Sequence, residues 1–188
     1  SLLFLVVLTF GSISCENLSE EKENTKPPVK NIIFLIGDGM GVAQLYAAME
    51  WSEKDLNMEK AEYAGLCKTY SLSDKITDSA AGGTALATGK KTANGIIGQD
   101  TSGIALKTIV EYAEENRMST GLISTSAITH ATPASFIAHE SSRNNYEAIA
   151  ADFLQTEIDV FIGGGYDHFA IRKDGANLID SLMSKGYE

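Results

Sequence analysis

Cysteine and histidine are both scarce in this chain, with 2 Cys and 3 His among 188 residues. Two cysteines exclude a disulfide scaffold and a cysteine-rich zinc module, and three histidines leave little room for a complete His-rich metal site. Basic residues are in deficit, 15 Lys+Arg against 25 Asp+Glu, for a formal net charge of -10. That balance argues against nucleic acid as the main partner, which needs a basic stripe to meet phosphates. The apolar run Leu2–Phe10 (LLFLVVLTF) falls well short of the roughly 20 residues that span a bilayer. What remains is a hydrophobic content of 44% with 8% aromatics, a composition that builds a core. A domain of this length buries close to 70% of the surface its unfolded chain exposes.

The run at Leu2–Phe10 has the length of a signal-peptide h-region. Gly11, Ser12, Ile13 and Ser14 lead from it into Cys15, a pattern similar to a bacterial lipoprotein signal in which Cys15 is lipidated. An ordinary secretory signal cleaved near Ser14 or a buried strand are the alternatives. Both secretory readings place the protein in the periplasm or cell envelope. Residues 16–30 (ENLSEEKENTKPPVK) are polar, charged and stiffened by Pro27 and Pro28, as a solvated tether is. The expected organisation is therefore a signal over 1–15, a linker over 16–30 and a folded part over 31–188. Cys67, left without a partner if Cys15 is acylated, is expected as a small buried thiol.

Within the folded part the hydrophobic period alternates. Ile32–Ile36 (IIFLI) reads as a strand buried on both faces. Val42, Leu45, Tyr46 and Met49 follow at helical spacing, as do Leu106, Ile109, Val110 and Ala113. Gly121–Ser124 is a short strand, Tyr146 to Leu154 a helix, Val160–Ile162 a strand, and Leu178 to Met183 a last helix. This alternation predicts an α/β fold, a mainly parallel sheet sandwiched by helices. Ligands in such sheets gather at the carboxyl ends of strands.

Three segments just after strands or at helix starts carry chemistry. Gly37, Gly39 and Gly41 follow a strand, but Val42 stands where a dinucleotide fingerprint needs its third glycine. Three glycines explain a tight turn and leave Asp38 unexplained. Gly83–Lys91 is no Walker loop, having five residues between its glycines and Lys91 where Ser or Thr belongs. The stretch Thr77-Asp78-Ser79-Ala80-Ala81 reads as a capped helix start, with Thr77 or Asp78 as the cap. Ser79 then lies at the positive end of the helix dipole, a place suited to a hydroxyl that attacks a phosphate. Thr129-His130-Ala131-Thr132-Pro133-Ala134 forms the third segment, with Arg143 beyond it. Taken singly, these are ordinary polar loop residues.

Together, the three segments, with Gly89–Gly95 and His139, resemble the alkaline phosphatases from about Asn31 to Gly165. The resemblance implies metal-dependent hydrolysis of phosphate monoesters of broad type through a phosphoserine at Ser79. It implies two Zn2+ and one Mg2+, with Asp38, Ser79 and Thr132 as metal ligands and Arg143 gripping phosphoryl oxygens through its planar fork. Metal coordination makes a serine alkoxide accessible, as it lowers the pKa of bound water from far above neutral to about 7. Some family members carry Asp where His130 stands, so His130 is expected to alter the metal or the pH optimum of the third site. His139, in the helix leading to Arg143, is expected to be structural, and His168 to lie in a loop without ligand-like company. The family's remaining Asp, His and Glu ligands do not occur before Glu188. The expected fold is thus alkaline-phosphatase-like and incomplete at the C-terminus, an N-terminal part that is inactive alone. A homodimer is a partner common in the family. Rival readings are a non-catalytic envelope lipoprotein that binds phosphate and a sulfatase or phosphodiesterase of the same superfamily.

Overall fold

The computed structural model describes residues 29–188. The signal expected over 1–15, Cys15 and all but the last two residues of the linker lie outside them. Two units separate between Ile36 and Gly37. In the first, residues 29–36 carry no regular secondary structure, and Ile33 and Leu35 are exposed. The expected strand at Ile32–Ile36 is therefore corrected. Its apolar run has the composition of a buried strand, but a strand also needs a neighbour to complete its ladder.

The second unit begins with a turn at Gly37, where the Met40 N–H donates to the Gly37 carbonyl at 3.1 Å. Gly39 sits at φ +68°, the left-handed value that such a turn demands and glycine adopts at no steric cost. Helix α1 (Val42–Trp51) follows, and the Gln44 side chain accepts the Gly41 N–H at its start. A 3-10 turn spans Asn57–Lys60. Cys67 lies in an exposed stretch without regular structure. The expected buried thiol is corrected, because among the described residues no element folds over this segment to cover it.

Helix α2 (Ser79–Thr88) is Ala-rich and bounded at both ends. Asp78 accepts the Ala81 N–H at 2.9 Å as the N-cap, and Gly89 closes the helix at φ +72°. Helix α3 (Ile109–Glu115) starts three residues into the expected stripe, since Thr108 and Glu111 form a capping box there. Strand β1 (Gly121–Ala127) leads to α4 (Ala131–Ala134) and α5 (Tyr146–Asp152), then to β2 (Val160–Gly164), α6 (Tyr166–Ala170) and α7 (Leu178–Ser184).

Among the described residues β1 and β2 form a two-stranded parallel sheet, with Gly121 opposite Val160 and Ile123 opposite Ile162. The crossover between them carries α4 and α5, as a parallel pair requires. The core gathers Ile97, Ile149, Phe153, Ile158 and Phe169 with the alanines of α2 and α4. The Phe153 ring lies tilted against Phe161 at 4.7 Å and edge-on to Phe169 at 5.6 Å. Each fully buried side chain of this size contributes roughly 1.5–3 kcal/mol. Helices α2 and α4 pack at a glycine: a Cβ on Gly83 would lie 2.8 Å from Ser135 Oγ. That close approach sets α4 beside the start of α2.

Candidate functional site

Three separate elements bring oxygens to one place. Asp38 projects from the glycine turn, Ser79 is the first residue of α2, and Thr132 is the second of α4. The Ser79 hydroxyl lies 3.1 Å from both carboxylate oxygens of Asp38 and donates to them. Thr132 Oγ1 donates to Asp38 Oδ2 at 2.9 Å. Asp38 is exposed, while Ser79 and Thr132 are half-buried. The cluster is thus open to a solute.

Arg143 reaches the neighbouring residue of the same helix start. Its Nη1 donates to Asp78 Oδ2 at 3.1 Å, with both side chains about three-quarters buried. The Gly95 N–H donates to the same Asp78 oxygen at 3.0 Å, and the Arg143 N–H donates to the Gly95 carbonyl at 2.7 Å. Asn94 accepts the Asp78 N–H and donates its own amide to the Ile76 carbonyl. Asp78 therefore caps α2 with one oxygen and tethers Arg143 with the other. The sequence named Asp78 only as a cap candidate. Its cap position was the legible signal, but an arginine 65 residues away was not.

The remaining candidates fall elsewhere. His130 is the residue before α4, where its N–H donates to the Ala127 carbonyl and its ring makes no hydrogen bond among the described residues. His139 lies beyond α4 in extended backbone, because Glu140 pairs with Ile97 in an isolated antiparallel bridge. The expected helix around it is corrected. His168 lies in α6, not in a loop; Nδ1 meets Thr129 Oγ1 at 2.6 Å and the ring stacks on Tyr146 at 4.7 Å. Gly165, at φ +97°, supplies the left-handed N-cap that starts this short helix.

Asp38, Ser79 and Thr132 together offer a carboxylate and two hydroxyls. That all-oxygen set fits a hard divalent cation. Among the described residues no group of three or more His, Cys, Asp or Glu side chains comes together, so the nitrogen-containing set that zinc prefers is not assembled by them. The surface depressions beside the end of α1, both lined by Glu50, Ser52 and Lys54, contain none of these groups.

The fold and this arrangement define an α/β protein whose serine starts a helix beside a carboxylate and a tethered arginine. Residues 29–188 match the family model for alkaline phosphatase, and the chain belongs to that family. It is 40% identical over 194 residues to alkaline phosphatase 3 of Bacillus subtilis (strain 168), covering 96% of this chain and 42% of the relative. The solved structure of alkaline phosphatase from the Antarctic bacterium TAB5 superposes with a TM-score of 0.77 at 40% identity, over 79% of this chain and 43% of that one. A TAB5 variant with one histidine replaced by aspartate holds Mg in its M3 site; it gives a TM-score of 0.77 at 40% identity over 78% and 42% of the two chains. The chain spans about two-fifths of the length of these relatives.

Proposed function

We propose that this chain supplies the nucleophile and phosphate-holding arm of a phosphate monoester hydrolase that works through phosphoserine. The observation that carries the reading is the Ser79 hydroxyl, placed at the N-terminus of α2 with both Asp38 oxygens 3.1 Å away. Ser79 Oγ attacks the phosphorus, forming an Oγ–P bond as the P–O ester bond breaks and the alcohol leaves with the bonding pair. Asp38 takes the hydroxyl proton, and the departing alkoxide takes a proton from solvent to leave as the alcohol. The α2 N-terminus and the Arg143 guanidinium hold the anionic phosphoryl oxygens. Water then hydrolyses the phosphoserine, releasing phosphate and restoring Ser79.

Asp38, Ser79 and Thr132 would hold a divalent cation, whose positive charge would favour the ionised hydroxyl and offset phosphate charge. Of the two Zn2+ and one Mg2+ that the family resemblance implies, the described residues offer donors for one hard cation. His130, two residues before Thr132, is proposed as a contributor to a third metal site. Export and a lipid anchor at Cys15 are further proposals, supported by the apolar run and the small residues before that cysteine.

Acid-quenched mass spectrometry of the full-length protein mixed with a chromogenic phosphate monoester, Zn2+ and Mg2+ tests the mechanism. The expected result is covalent phosphate on the Ser79 peptide and none in Ser79→Ala. Labelling that survives Ser79→Ala sinks the mechanism.

A further inference from the structure

Residues 76–78, which deliver the chain to Ser79, lie in no helix or strand. Their direction is set by a neighbouring loop. The Asp78 N–H donates to Asn94 Oδ1 at 3.2 Å, and Asn94 Nδ2 donates to the Ile76 carbonyl at 3.0 Å. One side-chain amide thus brackets Thr77 from both sides, as the backbone of a partner strand does in a ladder. Only one orientation of the amide serves both groups, because its oxygen must accept and its nitrogen must donate.

Asn94 is held in its turn. Its N–H donates to Ser73 Oγ at 2.9 Å, and the Leu72 N–H donates to the Thr92 carbonyl at 2.9 Å, so residues 72–73 lie beside 92–94. The Ile96 N–H donates to the Ala93 carbonyl at 3.3 Å across a turn that places Gly95 at φ +87°. Glycine adopts that left-handed value freely at the third position of a turn. The turn lets the Asn94 side chain face residues 76–78 while the Gly95 N–H meets Asp78 Oδ2.

We infer that Asn94 is a positioning residue for Ser79: its amide fixes the backbone entering α2, and with it the direction in which the Ser79 hydroxyl faces phosphorus. This rests on the reading of Ser79 as the nucleophile. Asp78 is extended, at φ -91° and ψ 176°, and the next residue is helical. A rotation of the peptide between Thr77 and Asp78 therefore swings the Ser79 side chain away from Asp38. A displacement of about 1 Å in a reacting group can cost on the order of a hundredfold in rate. The contacts that hold Arg143 do not use the amide. Arg143 Nη1 and the Gly95 N–H both meet Asp78 Oδ2, and the Arg143 N–H meets the Gly95 carbonyl. Loss of the Asn94 side chain thus bears on formation of the Oγ–P bond and spares phosphate binding.

The full-length protein with Zn2+ and Mg2+ supplies two readouts. With protein in saturating excess over a chromogenic phosphate monoester, release of the alcohol in a single turnover reads the attack by Ser79. The Kd for inorganic phosphate reads the groups that hold the anion. Asn94→Ala is expected to slow the single turnover about tenfold or more while the phosphate Kd stays near the parent's. Asn94 is exposed, so its truncation leaves no buried group unpaired, and urea unfolding checks that each variant is folded under the assay conditions. Asn94→Ser, which keeps a turn-forming residue but no two-armed amide, should behave alike. Ser73→Ala removes a hydrogen bond from the same loop and leaves the amide in place, so its single turnover should match the parent's. Parent-like turnover in Asn94→Ala and Asn94→Ser overturns the inference, and so does a Ser73→Ala protein slowed as much as they are. A phosphate Kd that rises as far as the rate falls also overturns it, by moving the effect to Arg143. If Ser79→Ala releases the alcohol as fast as the parent, the nucleophile reading itself has failed; an inactive Ser79→Ala beside a parent-like Asn94→Ala sinks the role of Asn94 alone.

Discussion

Asp78 does two jobs with two oxygens, and conservative variants separate them. Oδ1 caps α2 through the Ala81 N–H, while Oδ2 accepts from Gly95 and Arg143. Loss of a cap costs about 1 kcal/mol. A hydrogen-bonded charge left with no partner adds to that in Asp78→Ala. Asp78→Asn keeps an acceptor for the cap and removes the charge that tethers Arg143. In urea unfolding, Asp78→Ala should lose about 1–3 kcal/mol and Asp78→Asn clearly less. Equal losses would show that the cap is not what Asp78 contributes to stability. Glu111 carries a second residue-scale expectation. Its folded-state pKa lies below the ordinary value of 4.5, since the Thr108 N–H and His139 outweigh burial. A depressed carboxylate stabilises the fold above the unfolded pKa and loses that contribution as pH falls through the folded value. Urea midpoints of the parent should thus fall as pH drops below the ordinary glutamate range, and Glu111→Gln should show a shallower fall. Parallel curves for the two proteins would remove Glu111 from the acid response. Asp152 opposes it, because burial raises its pKa and protonation then favours the folded state.

At the scale of elements, the site depends on how α2 lies against α4. Two neighbouring glycines in α2 face different surroundings. A Cβ on Gly82 would meet Thr77 no closer than 3.6 Å, an ordinary contact, whereas one on Gly83 would meet Ser135 at 2.8 and 3.0 Å. Both substitutions to alanine gain helix propensity of about 1 kcal/mol. Only the second overpacks a helix interface, at a typical cost of about 1–3 kcal/mol. Gly82→Ala should raise the unfolding midpoint and Gly83→Ala should lower it. Because α4 also carries Thr132, Gly83→Ala should weaken Mg2+ binding in a calorimetric titration while Gly82→Ala leaves it near the parent value. A Gly83→Ala protein more stable than Gly82→Ala would mean that α4 yields freely, and the packing account of the site would fail.

For the molecule as a whole, local signals were legible and non-local ones were not. The helices at Val42, Tyr146 and Leu178 and the strands at Gly121 and Val160 follow from periodicity and turn residues within each segment. Asp38 and Ser79 stood out for their local frames, a glycine turn and a helix start, whereas Thr132 was named only through the resemblance to the alkaline phosphatases. The Asp78–Arg143 tether, the His139–Glu111 contact and the exposure of Cys67 depend on what lies opposite, which no window of sequence contains. The strand expected at Ile32–Ile36 failed for that same reason. Exposure of the β1–β2 sheet has a consequence for behaviour in solution. Ile123 is 73% exposed and sits opposite Ile162, itself 58% exposed, so the parallel register puts two large apolar side chains side by side on one face. Paired apolar side chains on an open sheet face favour association. Sedimentation velocity over a range of concentrations should show reversible self-association of the parent chain. The double variant Ile123→Lys, Ile162→Thr puts a charge and a hydroxyl on that face while keeping the strand backbone, and should shift the distribution towards monomer. If both proteins sediment alike at every concentration, this face is not the one that associates.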